Sequence, residues 1–284
     1  MELGEYGMNT YLLRLVACLS LCVSLNSFGA ITSYYQDFEG LTAASTNNSD
    51  LSNDGWRVTG FVYDDGYTPS TTFPDNFIYF YGALFPAPNN GGGGFSQVFS
   101  GNETIGNGNK HLWIYNDYDN RQAHDSGQFV RAVFLQEYII SEDDIGKTLT
   151  FNFDAKRPEA LYNDLGGDSS IAAGNNCIKT CSAQAFIHTL DPSNSYLPSN
   201  RLVEVTTEIS QNEWSSHTIT LELTDPLLTS QLLWIGFESF ATNDDNTLVY
   251  YDNISISTSE VPLPAGIYLF LSGLVGLGLI KRRK

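Results

Sequence analysis

The stretch Thr148-Leu149-Thr150-Phe151-Asn152-Phe153-Asp154-Ala155 alternates polar and apolar residues without a break. In an extended chain successive side chains point to opposite faces, so Leu149, Phe151, Phe153 and Ala155 share one face. A helix would scatter them around its axis. Ser216–Leu223 repeats the pattern and brings Ile219, Leu221 and Leu223 together. Strands with one apolar and one polar face belong in antiparallel sheets that are wet on one side. Further short runs of this kind lie at Tyr34–Phe38, Trp56–Tyr63, Phe77–Tyr81, Phe95–Phe99, His111–Tyr115, Phe129–Ile139, Ala183–Leu190, Leu202–Ile209, Leu232–Ser239 and Leu248–Ile256, and the two alternating runs extend to Thr148–Lys156 and Trp214–Leu223. Polar insertions rich in Gly, Asn, Asp and Pro separate them at Thr42–Asp54, Asp64–Asp75, Pro86–Gly94, Asn116–Gly127, Arg157–Ser182 and Thr242–Asn246. The 16 Tyr and 17 Phe, with the β-branched residues, suit a pleated surface. A dozen short strands with no long helix to cover them bury their apolar faces as two stacked sheets. The expected fold is all-β, one sandwich over residues 31–257, with Ser257–Glu260 as a short polar stalk.

Both ends carry addresses. Leu12–Leu25 is apolar apart from Arg14 and a few small polar residues, and Ser27, Gly29 and Ala30 follow. A basic flank, a short apolar core and small residues make a secretory signal peptide over residues 1–30. Glu2 and Glu5 fit such a leader badly, and a start at Met8 would remove them. Residues 258–284 hold Val261-Pro262-Leu263-Pro264-Ala265, then an apolar run to Ile280, then Lys281-Arg282-Arg283-Lys284. A helix over Ala265–Ile280 would be about 24 Å long, close to the hydrocarbon core of about 30 Å. The basic end marks the cytoplasmic side, so the body faces away from the cytoplasm. This order of motif, transmembrane helix and basic end resembles the PEP-CTERM sorting signal in its Val-Pro-Leu-Pro-Ala variant. The resemblance implies a Gram-negative envelope protein whose tail is recognised and cut by an exosortase. The alternative is a plain C-terminal anchor that is never cut.

The chain has 14 basic and 32 acidic residues. Five of the bases, Arg14 and Lys281–Lys284, lie in the two end segments, so the sandwich itself is more acidic still. Such a surface repels nucleic acid and favours divalent cations or simple solubility. Cys18 and Cys22 belong to the leader, which leaves Cys177 and Cys181. In an exported protein such a pair is read as a disulfide; a metal site is the alternative, but no His or second Cys pair accompanies it.

The order of short motifs along the body is also informative. Gln36-Asp37-Phe38-Glu39-Gly40 stands near the start. Asp54-Gly55-Trp56, Gly91–Gly94 with Phe95-Ser96-Gln97, Glu213-Trp214 and Leu233-Trp234-Ile235-Gly236-Phe237-Glu238 follow, and Tyr250-Tyr251-Asp252-Asn253-Ile254 closes the series. This order resembles the jelly-roll sandwiches of carbohydrate-binding modules and galactose-binding-like domains. The resemblance implies that Glu39 and Asp252 approach one another and hold a structural Ca²⁺, with Asp37 adding an oxygen. Ca²⁺ takes six to eight hard oxygens from carboxylates, carbonyls and water. The alternative is that both are ordinary strand-end acids. Asn116–Asn120 and Thr242–Asn246 lack the glycine and late glutamate of a calcium loop and read as solvated turns.

Sugar rings stack on aromatic faces while acids and amides bind their hydroxyls. Trp113, Tyr115 and Tyr118, beside Asp117 and Asp119, have that chemistry, as do Tyr63, Tyr67, Tyr79 and Tyr81. Aromatic residues of a sandwich also serve as core. His111, His124, His188 and His217 show no zinc spacing, and neither a Gly-x-Ser-x-Gly elbow nor a phosphate loop is present. A glycosidase needs two opposed carboxylates, and nothing marks such a pair. The expected protein is an exported, non-catalytic cell-envelope or extracellular-matrix protein, sorted by an exosortase and contacting exopolysaccharide. It would pass through a transient membrane anchor to the envelope, the cell surface or the medium. A dedicated carbohydrate-binding module is the alternative, and a polysaccharide-active enzyme the third reading.

Overall fold

The computed structural model describes residues 30–42, 50–63, 77–89, 96–100, 108–114, 128–156, 182–206, 209, 213–241 and 249–260. The expected leader up to residue 29, Tyr67, Tyr115, Tyr118, Cys177, Cys181 and the expected sorting tail from Val261, with its Val261–Ala265 motif, lie outside these residues. Among the described residues no helix is long and apolar enough to cross a membrane.

Among the described residues twelve strands form in the order expected: β1 (Tyr34–Gln36), β2 (Arg57–Tyr63), β3 (Phe77–Pro86), β4 (Ser96–Ser100), β5 (Lys110–Ile114), β6 (Phe129–Ile139), β7 (Lys147–Lys156), β8 (Ser182–Asp191), β9 (Leu197–Val205), β10 (Ser215–Leu223), β11 (Leu232–Ala241) and β12 (Val249–Glu260). A short α-helix, α1 (Asp50–Asn53), lies inside the first expected insertion. The first sheet runs β10-β7-β12-β5-β4, with β1 also on β12, and the second runs β3-β2-β6-β11-β8-β9. Every ladder among the described residues is antiparallel.

From β5 onward the pairing has a simple logic. Strand β8 pairs β9, β7 pairs β10, β6 pairs β11 and β5 pairs β12. The chain is thus folded in half at the β8–β9 turn and the doubled ribbon is rolled up, alternating between the two sheets. That is the wrapping of an eight-stranded jelly roll. Strands β1 to β4 widen both sheets.

The alternating apolar faces meet between the sheets. Leu149, Phe151, Phe153, Ala155, Ile219, Leu221 and Leu223 all lie in the core, at 7 % exposure or less. Phe237 of the second sheet stacks on Tyr251 of the first at 3.9 Å and crosses Phe153 edge-on at 5.2 Å. Trp56 stacks on Phe134 at 4.3 Å. Each such buried side chain contributes about 1.5–3 kcal/mol relative to exposure.

Three differences from the sequence reading have physical reasons. Strand β12 runs on to Glu260, which pairs Lys147, so the expected stalk is ladder. Its alternation breaks at a bulge between Asp252 and Ser255, where Asn253 takes φ 49°. The bulge shifts the inward set from Val249 and Tyr251 to Ile254 and Ile256. Strand β3 extends past Tyr81 because its register against β2 slips between Val58 and Gly60, which hides the period of two. Strand β9 starts at Leu197 with Pro198, a residue an edge strand tolerates.

Gly236 marks a close approach of two backbones. A Cβ there would lie 2.0 Å from the Phe134 carbonyl oxygen and 2.7 Å from the Leu135 Cα. Glycine is the residue that lets β6 and β11 pair at this point.

Candidate functional site

The acidic residues named from sequence lie where β1 and β12 pair, with Tyr34 opposite Ile256 and Gln36 opposite Ile254. Phe38, in the left-handed region at φ 57°, turns the chain out of β1. The turn brings Glu39 under Asn109 and Lys110, whose backbone N–H groups donate to its Oε1 at 2.5 and 2.7 Å. Gly108, at φ 88°, makes that approach possible, since a Cβ there would sit 2.2 Å from the same oxygen. Lys110 Nζ donates to the carbonyls of Glu39 and Leu41 at 2.8 and 2.7 Å. Asp37 reaches Glu39 through a local turn, accepting its N–H at 3.2 Å, and not through strand alternation.

Asp252 is fully buried. Its Oδ1 accepts the Asn253 N–H at 2.7 Å, and its Oδ2 has no partner. Directly opposite in the ladder stands Asp154, whose oxygens accept from Ser216 Oγ at 2.5 Å and Asn253 Nδ2 at 2.9 Å. Burial pushes the Asp252 carboxyl up to about 8. The Asn253 N–H works against the shift, while the charges of Asp154, Asp37 and Glu39 add to it. Like charges opposed in a ladder are destabilising, and a buried acceptor left unpaired costs more. An orphaned carboxylate oxygen among three further carboxylates fits a hard divalent cation. Among the described residues no three His, Cys, Asp or Glu side chains close around one point. An ion here would therefore use Asp252, with Glu39 or Asp37, and fill its shell from carbonyls and water.

Trp113 lies on the outer face of the first sheet at 4 % exposure, edge-on to Tyr250 at 6.0 Å. Its ring faces protein. Open aromatic faces occur instead on the outer face of the second sheet. There Phe61, Tyr196 and Trp234, with Leu190, Pro198 and Leu232, enclose a cleft of about 390 Å³ together with Arg131, His188, Ser195 and Arg201.

The floor of this cleft is an ion pair. Arg131 Nε donates to Glu238 Oε2 at 2.6 Å, and Arg131 Nη2 donates to the same oxygen. Gln184 Nε2 donates to Glu238 Oε1, and Arg201 Nη2 stands 4.0 Å from that oxygen. Burial, the largest single effect, would raise the Glu238 carboxyl, but the charges and hydrogen bonds around it, led by Arg131, together hold the group below the usual range. Burial would lower Arg131, and Glu238 and Tyr63 together outweigh it. The guanidinium also lies over the rings of Phe61 and Phe240 at 5.2 and 5.6 Å. His188, stacked on Phe186 at 4.5 Å, is pushed down to about 3, chiefly by burial, so it stays neutral. Its Nε2 is buried without a partner.

The walls are positioned locally. Trp234 Nε1 donates to Glu137 Oε2 at 2.6 Å, which fixes the indole. Tyr196 sits in the β8–β9 turn, built on Asp191, whose Oδ1 caps the Ser193 N–H at 2.8 Å. Ser195 and Tyr196 both take positive φ, at 55° and 59°. A bulky residue held there is strained, and it leaves the Tyr196 ring 56 % exposed at the cleft mouth.

A third polar chain joins Ser215 Oγ to His217 Nε2 at 2.8 Å and His217 Nδ1 to Glu204 Oε1 at 3.2 Å. The order is that of a nucleophilic triad. However, Ser215 Oγ also bonds the Ala155 carbonyl at 3.3 Å, and the imidazole lies flat on Phe153. The chain fastens edge strand β10 of one sheet to edge strand β9 of the other.

Sequence reasoning did not single out Arg131, His188, Tyr196, Arg201, Trp234 or Glu238 as site residues. A signal existed for two of them. Arg131 and Glu238 are opposite charges in strands whose other residues are mostly apolar. Tyr196 lies in a turn and carries no periodic signal.

No protein-family model matches the chain, and no curated protein does. Similar solved structures include the CBM22-1 xylan-binding domain of Xyn10C from Paenibacillus barcinonensis, 9 % identical over 82 % of this chain and 98 % of that one, TM-score 0.37. A Stig cyclase, Fisc from Fischerella sp. TAU, is 12 % identical over 81 % and 100 %, TM-score 0.40. TmCBM61 in complex with β-1,4-galactotriose is 10 % identical over 77 % and 99 %, TM-score 0.34. Likeness at this level leaves the jelly-roll assignment resting on the strand pairing itself.

Proposed function

We propose that the protein is an exported, non-catalytic envelope or matrix protein whose sandwich binds a polysaccharide in the cleft on the second sheet. The carrying observation is the combination of Trp234, Tyr196 and Phe61 with His188, Ser195 and Arg201 around one cleft. Sugar rings present apolar C–H faces that pack on aromatic rings, while a few fixed polar groups orient their hydroxyls. The floor is rigid because the Arg131–Glu238 pair is buried. A Ca²⁺ at Asp252 would be structural, since it would tie the first and last strands together on the other sheet.

A glycan array probed with the protein tests this reading. Retention of polysaccharide fragments is expected, and Trp234→Ala is expected to weaken it about tenfold or more, or about 1.4 kcal/mol. An array on which no saccharide is retained sinks the reading. Turnover of a bound glycan would replace it with the enzymatic alternative.

Export and sorting rest on the two end segments. Mass spectrometry of the mature protein is expected to find a C-terminus near Pro264 and no peptide from Ile267–Ile280. Recovery of the intact tail would leave a plain anchor.

A further inference from the structure

We infer that the cleft on the second sheet seats a 6-deoxyhexose unit, a sugar whose exocyclic carbon is a methyl group, with the methyl on Leu190, Pro198 and Leu232 and a ring hydroxyl on His188 Nε2. The inference rests on the glycan-binding reading and names its ligand class.

The register of the sheet sorts the cleft into two rows. Leu232 pairs Leu190, and Leu190 pairs Pro198. Trp234 pairs His188, and His188 pairs Arg201. All six residues line the cleft. Paired residues share a face of the sheet, and the rows are two residues apart along β8 and β11, or about 7 Å. That is about the breadth of a pyranose ring with its substituents. One row is wholly apolar. The other places an imidazole between an indole and a guanidinium.

Arg131 and Arg201 are both ion-paired with the buried Glu238 and belong to the floor. His188 differs from them. It is 4 % exposed, it lines the cleft, and no protein group bonds its Nε2. Burial keeps the ring neutral. A hydroxyl can donate or accept, so it satisfies Nε2 in either tautomer. The apolar row offers a hydroxyl nothing. A hexose seated with its hydroxymethyl group on Leu190, Pro198 and Leu232 would bury an oxygen without a partner, which is costly. A methyl group in the same place gains by leaving water. Trp234 and Tyr196, the latter 56 % exposed at the mouth, supply aromatic faces for the ring. The volume of about 390 Å³ is at the small end for ligand sites. It suits one sugar unit, at a chain end or on a branch, enclosed on several sides.

The test compares sugars that differ by a single oxygen atom. Methyl glycosides of fucose, rhamnose and quinovose are titrated by NMR against those of galactose, mannose and glucose, with the same absolute configuration within each pair. At least one deoxy sugar is expected to bind about tenfold tighter than its parent hexose. His188→Phe keeps a flat ring on Phe186 and removes the nitrogen. It is expected to weaken the preferred sugar about tenfold. Pro198→Ser, on the edge strand, places a hydroxyl in the apolar row and is expected to narrow the gap to about threefold or less. It tests the methyl seat independently should His188→Phe fail to fold. Hexoses that bind as well as their deoxy partners overturn the inference and leave the glycan reading standing. A preference of undiminished size and affinity in both variants places the methyl elsewhere and overturns the assignment. Absence of binding by every glycoside, with polysaccharide retained on the array, also overturns the inference, and absence of binding in both experiments removes both readings together.

Discussion

Glu238→Ala is expected to lower the unfolding free energy by about 3–5 kcal/mol, a melting shift of roughly 6–20 °C for a domain of this size. The carboxylate and the guanidinium of Arg131 are both buried. Removing the acid strands a cation that cannot shed its proton. It also orphans the Gln184 amide, which donates to the same carboxylate. The attraction between the two charges is not the main term, because desolvation offsets much of it. A double variant, Arg131→Met with Glu238→Leu, is therefore expected to lie within about 2 kcal/mol of the parent. Urea titration of the three proteins measures both differences. A single variant as stable as the parent would mean that water reaches Arg131 and that the cleft floor is not sealed. If the double variant folds normally but no longer retains glycan, the pair serves the site more than the fold.

The sandwich was legible because its strands obey a simple period. Leu149, Phe151, Phe153 and Ala155 could be placed on one face from sequence alone, and the core holds all four. Legibility stopped where the period is interrupted. The bulge at Asn253 turns β12 over by one residue, and the slip between Val58 and Gly60 does the same for β2 and β3. The acidic junction was legible in part. Glu39 and Asp252 could be named through the resemblance of the chain's two ends, but the opposition of Asp154 to Asp252 follows from register, which no local pattern encodes. The cleft was hardly legible. Arg131 and Glu238 are 107 residues apart and become partners because β6 and β11 are neighbours. Trp113 looked like a platform because it stands among tyrosines and acids, and burial against Tyr250 gives it other work.

In the presence of excess chelator the protein is expected to become less stable as pH rises from 7 to 9, and Ca²⁺ is expected to abolish that slope. The sign follows from Asp252. Burial pushes its carboxyl up to about 8, above the ordinary aspartate value of 3.8, so the native state holds a proton that the unfolded state has released. Stability then falls with pH through the native pKa, by about 1.4 kcal/mol between pH 7 and 9. Two buried histidines titrate with the opposite sign. Burial, helped by Lys156, pushes His111 down to about 4, and His188 is held near 3. Their contribution is complete above about pH 6.5 and is lost on acidification, so it does not enter the alkaline window. A cation bound at Asp252 would keep the carboxylate ionised and turn its repulsion from Asp154, Asp37 and Glu39 into attraction. At 100 times its dissociation constant, Ca²⁺ would add about 2.7 kcal/mol, or roughly 5–10 °C. Asp252→Asn should behave differently in both respects. It removes the charge that Asp154 opposes, so its stability in chelator should stay flat from pH 7 to 9, and it should not respond to Ca²⁺. Calorimetric melts of both proteins, with and without chelator, separate the two effects. A slope in chelator without a Ca²⁺ response would confirm the buried acid and refute the ion. Identical melts of wild type and Asp252→Asn under every condition would show that Asp252 is solvated, and then the bulge at Asn253 serves the strand geometry alone.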